Sequence, residues 1–188
     1  SALVRTRAVI VFTVAAFVAS SCSGSKTVAE VNDHRITVAQ VTALSPAGDD
    51  EPVYSGAMFR RNLNLLIFNT AFRTAAESEF GLEGLNDPDR VADRIANPPP
   101  DEVAVFADIG ADPDATPAFL DAAAEFFLIR EAVLMQLLPD PLIRDATLAT
   151  EAFTEWSTAA TEMAEIDVAS QIGLWDGPRS GILPPPSG

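Results

Sequence analysis

The chain has 188 residues, 48% of them hydrophobic, and its 27 acidic and 12 basic side chains give a formal net charge of −15. Length and apolar content fit one domain with a sizeable core, while the acidic surface excludes nucleic acid as a partner, because such binding depends on Lys and Arg neutralising phosphates. A single cysteine excludes an internal disulfide and a Cys-rich metal site, and a single histidine excludes a multi-histidine zinc site.

The first 21 residues have the layout of a secretory signal peptide. Arg5 and Arg7 form a basic region, residues 8–19 form an apolar run broken only by Thr13, and small residues follow. The run is shorter than the about 20 residues that a membrane span needs. We therefore predict that residues 1–21 are a signal peptide and that the protein is exported.

Residues 19–22 read Ala-Ser-Ser-Cys and resemble a bacterial lipobox. In that motif small residues fit the peptidase, and the thiol of the cysteine carries the lipid. We predict Cys22 as the lipid attachment site and residues 22–27 as the lipidated cysteine and its tether, in which Ser23–Ser25 is flexible. The alternatives are an uncleaved anchor and an unmodified cysteine.

A hairpin that leads directly into a helix is predicted at the start of the folded part. Val28–Val31 and His34–Ile36 are short strands, and Asn32-Asp33 tolerates the positive φ of a tight turn. Thr37 and Gln40 have the capping-box spacing of a helix start. An isolated hairpin is marginal in water, so this one needs a partner strand elsewhere in the chain.

Start and stop signals predict a helical body after the hairpin. The two long helices are apolar over a broad arc but are interrupted by charges, which indicates buried helices of a core and not membrane spans. The predicted helices cover residues 37–44, 55–80 (N-cap Ser55, stop Gly81), 87–96, 101–108, 116–138 and 142–164 (cap Asp140, with one possible break).

The C-terminal part changes from helical to strand periodicity. Residues 165–169 alternate polar and apolar side chains, as a half-buried strand does. Residues 179–188 are rich in proline, and we predict that they form a disordered tail.

The two ends of the chain resemble one family. The hairpin and Thr-capped helix after a signal peptide are similar to the start of the SurA N-terminal domain and of PrsA-type foldases. The ending 164–177, AEIDVASQIGLWDG, resembles the family's terminal strand, with Gly173, Trp175 and Asp176 in place and Ser170-Gln171 where Asn-Pro is usual. The resemblance implies a mainly α fold over residues 28–178, closed by a small β-sheet that pairs the N-terminal strand with the C-terminal strand.

The resemblance also implies a function. Family members often carry a parvulin prolyl isomerase domain before the closing strand, but residues 139–164 leave no room for one and contain no histidine. The expected protein is a lipoprotein on the extracytoplasmic face of the cell membrane that binds unfolded or partly folded exported polypeptides in a chaperone-like way, without catalysis. The alternative is a scaffold lipoprotein with one dedicated protein partner in the cell envelope.

No residue pattern indicates a catalytic, metal or cofactor site. The acidic side chains with the chemistry for acid–base catalysis or Ca²⁺ binding lack an EF-hand spacing and are typical of solvated loops and helix ends. They are Asp49-Asp50, Asp112, Asp114, Glu162 and Glu165. His34 and Asp33 are interpreted as turn residues. A client-binding groove would be lined by Phe, Leu and Met, but the sequence does not identify its residues.

Overall fold

The structure, a computed structural model, describes residues 26–46, 56–140, 142–177 and 181–185. The predicted signal peptide at 1–21, Cys22, Ser23–Ser25, Asp49-Asp50 and Ser55 lie outside these residues. Every element and contact given below lies between residues 26 and 185, and this part of the chain builds a hydrophobic core of its own, as an independently folding domain does.

The described residues form six α-helices and five short strands, which confirms the predicted mainly α fold closed by a small sheet. The helices are α1 (Val38–Ala43), α2 (Ala57–Phe80), α3 (Pro88–Ala96), α4 (Val103–Ala111), α5 (Pro117–Leu137) and α6 (Ala146–Met163). The strands are β1 (Thr27–Val31), β2 (His34–Thr37), β3 (Ile166–Val168), β4 (Leu174–Asp176) and β5 (Gly181–Leu183). No helix among these is both long and apolar enough to cross a membrane.

The predicted partner of the N-terminal hairpin is confirmed. The strands of the larger sheet are in the order β2-β1-β3, and β1 pairs antiparallel with β3 so that Ala29 lies opposite Val168. Asn32, at φ 52°, occupies the turn. Its amide donates to the Glu165 carbonyl at 2.7 Å, and its side-chain Oδ1 accepts from the Glu165 amide at 3.0 Å. One residue therefore forms the turn and fastens the closing strand.

Several helix ends also agree with the sequence. Thr37 and Gln40 form the capping box of α1. Asp87 and Thr116 cap α3 and α5, each followed by proline in the first turn. Gly81 ends α2 at φ 68°, in the left-handed conformation that glycine adopts without strain.

Three predicted helix starts are wrong. The N-cap of α2 is Gly56, which makes no side-chain cap bond, and not Ser55. Helix α4 begins at Val103 and not at residue 101, since Glu102 is its N-cap. The last helical stretch has the one break that the sequence allowed: Leu142–Arg144 forms a 3₁₀ turn, and α6 follows it. The cap of α6 is Asp145, which accepts hydrogen bonds from two backbone amides, and not Asp140.

The hydrophobic core has two parts on different sides of α5. The main part joins the sheet to α2, α5 and α6, and it contains Val31, Leu63 and Ile129, each fully buried. A smaller part joins α3 and α4 to α5 and is made of Val91, Phe106, Ala124 and Leu128. Helix α5 is therefore the element that both cores share.

The prediction of a disordered tail over 179–188 is wrong for Gly181–Leu183, which forms β5 and pairs with β4. The side chain of Ile182 is only 8% exposed and belongs to the main core, and its burial accounts for the order of this strand. Gly173 permits the approach, because a Cβ at this position would lie 2.0 Å from the Leu183 carbonyl oxygen. Residues 178–180 and 186–188 lie outside the described residues.

Replacing Val168 with Asp is expected to destabilise the protein by roughly 2–4 kcal/mol, because it puts a charge where an apolar side chain packs on the main core. The melting temperature should fall by about 5–15 °C in a thermal unfolding experiment. The matched control is Asp167→Asn on the exposed face of the same strand, which should unfold within a few degrees of the unmodified protein. Equal melting temperatures for both variants would contradict a stabilising β1–β3 closure.

Replacing Gly173 with Ala is expected to destabilise the protein by roughly 1–3 kcal/mol, since the added methyl group meets the Leu183 backbone and the φ of 155° is unfavourable for alanine. Gly110→Ala in α4 is the control: its Cβ meets nothing within 4 Å, and alanine should stabilise the helix by about 0.5–1 kcal/mol. Chemical denaturation measures both changes, and a stable Gly173→Ala variant would refute the close β4–β5 approach.

Candidate functional site

An open groove of about 390 Å³ lies among α2, α4 and α5. Its lining is mainly apolar, with three charged side chains at the rim. The apolar residues are Leu65, Ile109, Phe119, Ala123, Phe126 and Phe127, and the charged ones are Arg61, Asp108 and Asp112. We call these nine residues the α2–α4–α5 groove.

Helical spacing brings these residues to one place. Arg61 and Leu65 are four residues apart on α2, and Phe119, Ala123 and Phe127 follow one another at intervals of four on α5. Side chains at this spacing lie on the same face of a helix. The groove is therefore a stripe on each of two long helices, with the end of α4 as its third side.

The floor of the groove is held by aromatic contacts on both sides of α5. Phe126 and Phe127 pack edge to face, with their ring centroids 5.7 Å apart. Phe126 also contacts Phe153 of α6 at 5.8 Å, whereas Phe127 contacts Phe106 of α4 at 5.5 Å. Adjacent residues on a helix point about 100° apart, so this pair reaches into both cores at once. The floor is fixed by the packing of both.

A buried ion network fixes the start of α4. Arg94 of α3 is 8% exposed and donates two hydrogen bonds to Glu102 at 2.8 and 2.6 Å, and a third to Glu131 of α5 at 2.5 Å. Burial lowers the pKa of Arg94, but the hydrogen bonds and charges of the two carboxylates more than offset this and raise it. Loss of one partner from such a network is strongly destabilising, because it leaves a buried charge uncompensated. The network holds the α4 wall against α5.

Hydrogen bonds from the end of α1 fix the opposite side of the groove. The Thr116 hydroxyl donates to the Ala43 carbonyl at 2.6 Å and accepts from the Phe119 amide at 3.1 Å. Asn62, fully buried, donates to the Ser45 hydroxyl at 2.7 Å. The second turn of α2 and the start of α5 are thereby joined through the end of α1 and Ser45, which follows it.

The rim of the groove carries charge of both signs on different sides. The Arg61 guanidinium lies 5.6 Å from the centroid of the Phe119 ring, a cation–π distance. Asp108 and Asp112 are exposed on the α4 side, one helical turn apart, and the carboxylate of Asp112 accepts a hydrogen bond from the Asp114 amide at 2.9 Å. In the part of the chain that the structure describes, none of the three rim residues forms an ion pair. Their charges face solvent.

The acidic and histidine residues singled out in the sequence do not come together in one site. His34 and Asp33 are exposed in the hairpin, Glu162 is exposed at the end of α6, and Glu165 binds Asn32 through its backbone. Of those among them that the structure describes, only Asp112 lines the groove. Among the described residues, no three His, Cys, Asp or Glu side chains are placed to hold a metal ion.

A polar cluster between α2 and α5 contains the carboxylate with a clearly perturbed pKa. Burial raises the pKa of Glu125, and the neighbouring Arg73 guanidinium and Asn69 amide offset this only in part. Asn69 also donates to the Ala122 carbonyl at 2.8 Å. None of these side chains lines the groove. The cluster joins the two long helices.

Comparison of the chain with protein-family models, with curated proteins and with solved structures finds no match in any of the three. The resemblance to SurA-type and PrsA-type proteins therefore stays a prediction that rests on the residues of the two chain ends.

The groove residues were not identified from the sequence, although one signal for them is present. The apolar stripe of α5 at Phe119, Ala123, Phe126 and Phe127 is wider than packing against a single helix requires. The α4 side gives no such signal, since the position of α4 depends on the Arg94–Glu102–Glu131 network and on Phe106.

The raised pKa of Glu125 predicts a definite pH dependence. As pH falls, the folded protein takes up a proton at Glu125 before the unfolded chain does, so the wild type should gain stability relative to Glu125→Gln. The gain should begin near the folded-state pKa and be complete below the ordinary value of 4.5. Urea unfolding of both proteins between about pH 4 and pH 8 measures it.

The control for this measurement is Glu155→Gln, which removes an exposed carboxylate from α6 and corrects for the loss of one acidic group. A wild-type advantage over Glu125→Gln that shrinks as the solution becomes more acidic would show that pairing with Arg73, and not burial, dominates at this carboxylate.

Proposed function

We propose that this chain is a lipid-anchored protein of the extracytoplasmic membrane face that binds unfolded or partly folded segments of exported polypeptides, without catalysis. The observation that carries the proposal is the α2–α4–α5 groove, an apolar concavity open to solvent. Aromatic and aliphatic side chains exposed by an unfolded polypeptide would gain by transfer from water into it. The resemblance of the chain ends to SurA-type and PrsA-type proteins supports the same function.

The size of the groove sets the strength of binding. Sites for small ligands are about 300–1,000 Å³, and at about 390 Å³ this groove takes one or two large side chains. Full burial of such a side chain is worth about 1.5–3 kcal/mol before the cost of association is subtracted. Binding of a single segment is therefore weak and reversible, as the release of a client requires.

The same small volume favours a second function, a scaffold that holds one dedicated envelope protein through a single anchor residue. The Phe126–Phe127 floor and the α4 wall are held in place by packing and ion pairs, as the surface of an interface with one partner would be. Affinity capture distinguishes the two: a single stoichiometric protein indicates the dedicated partner, whereas many polypeptides at low occupancy indicate client binding.

The proposed function predicts that residues 22–188, at a several-fold molar excess, slow the aggregation of a denatured reporter protein monitored by light scattering. Leu65→Glu puts a charge on the wall of the groove and should remove most of this effect. Ala123→Leu should do the same by filling the groove without a change of charge.

The matched control is Leu148→Glu, which makes the same change at a leucine of α6 that is 39% exposed and lies outside the groove. Thermal unfolding of each variant shows whether it remains folded. The proposal fails if the unmodified protein leaves aggregation unchanged, or if folded Leu65→Glu and Ala123→Leu both protect as well as Leu148→Glu.

A further inference from the structure

We infer that the α2–α4–α5 groove prefers polypeptide segments in which a large apolar side chain stands next to Lys or Arg. This inference rests on the proposed function and adds the chemical class of the segment that is bound. It follows from the charges of the rim and from the adjacency of Asp108 to the apolar lining residue Ile109 on α4.

The rim presents two carboxylates and one guanidinium. Asp108 and Asp112 lie one turn apart at the end of α4, on the same side of the groove as Ile109. A cation from a bound segment can approach both carboxylates there. An anionic side chain at this place would be repelled by both carboxylates. The guanidinium of Arg61, which is the cation on the other side of the groove, already lies over the Phe119 ring.

The carboxylates are within reach of a residue that neighbours the anchor. Asp108 is adjacent in sequence to Ile109, so carboxylate and apolar lining meet along one edge. An extended segment advances about 3.4 Å per residue, and the side chains of Lys and Arg are long. Their methylene stems pack on apolar surface while the charged end stays in water. A basic residue one or two positions from the anchor therefore reaches the rim.

The charge of the whole protein acts in the same direction. With a formal net charge of −17 over residues 22–188, from 10 basic and 27 acidic side chains, the protein attracts cationic segments and repels acidic ones before contact. This attraction decreases with ionic strength, whereas the apolar contact at the floor does not. Binding measured at low and at high salt therefore separates the electrostatic attraction from the apolar contact.

The test measures binding of labelled peptides to residues 22–188 by fluorescence anisotropy. One peptide carries Phe and Leu flanked by Lys, a second carries the same apolar residues flanked by Glu, and a third keeps Lys but replaces the apolar residues with Ser. We expect the first to bind best, about three- to tenfold more tightly than the second at low salt, since two exposed ion contacts contribute on this scale. The third should bind least at high salt.

The rim is tested with the double variant Asp108→Asn and Asp112→Asn, which keeps the shape and the hydrogen-bond acceptor of Asp112. This variant should lose most of the preference for Lys over Glu. Its matched control is Glu151→Gln with Glu155→Gln, which changes the net charge equally on the exposed face of α6. The control should keep most of the preference.

Each other outcome overturns a stated part of the argument. If the Lys-flanked and Glu-flanked peptides bind equally, the charge preference is wrong while the groove remains a binding site. If both double variants lose the preference equally, overall acidity and not the rim selects the segment. If no peptide with apolar residues binds, the proposed function fails together with the inference.

Discussion

The antiparallel pairing of β1 with β3 is the constraint on which the rest of the fold depends. It joins residues 29 and 168, so every helix between residues 26 and 185 that the structure describes lies inside one closed loop of the chain. The entropic cost of closing a loop grows slowly, by about 0.6 kcal/mol for each doubling of its length. Asn32 helps to offset this cost with two hydrogen bonds to the Glu165 backbone. The closed sheet then buries Val28 and Val31 in the same core as residues of α2 and α5.

Helix α5 connects the closed core to the groove. It is apolar around most of its circumference because it contributes to the main core, to the smaller core with α3 and α4, and to the α2–α4–α5 groove. Phe126 and Phe127 belong to different cores and also line the groove. Most of the aromatic side chains are thus part of the packing, and the few partly exposed ones are held in place by those that are buried.

Local hydrogen bonds explain which features the sequence predicts. The caps Thr37, Asp87 and Thr116 are readable because their hydrogen bonds join residues two or three positions apart. The turn at Asn32 is readable because it joins strand residues Val31 and His34, which are three positions apart. Residues 165–169 were predicted as a strand from their own alternation, but their partner was inferred from the resemblance. Strand β5 was missed because its order depends on one buried side chain, Ile182, among prolines. The groove was missed because its α4 wall depends on Arg94 meeting Glu131, which is 37 residues away.

The acidic surface and the predicted lipid anchor are compatible parts of the proposed function. Residues 22–188 carry 10 basic and 27 acidic side chains, a formal charge of −17, and anionic lipid headgroups would repel such a domain. An anchor at Cys22 would keep the domain at the membrane without its surface lying on the lipid. The groove would then stay open to the exported polypeptides of the proposed function. A site that holds one or two side chains binds weakly in free solution, but confinement next to such clients would raise their effective concentration. In this arrangement the location of the protein compensates for the small size of its groove.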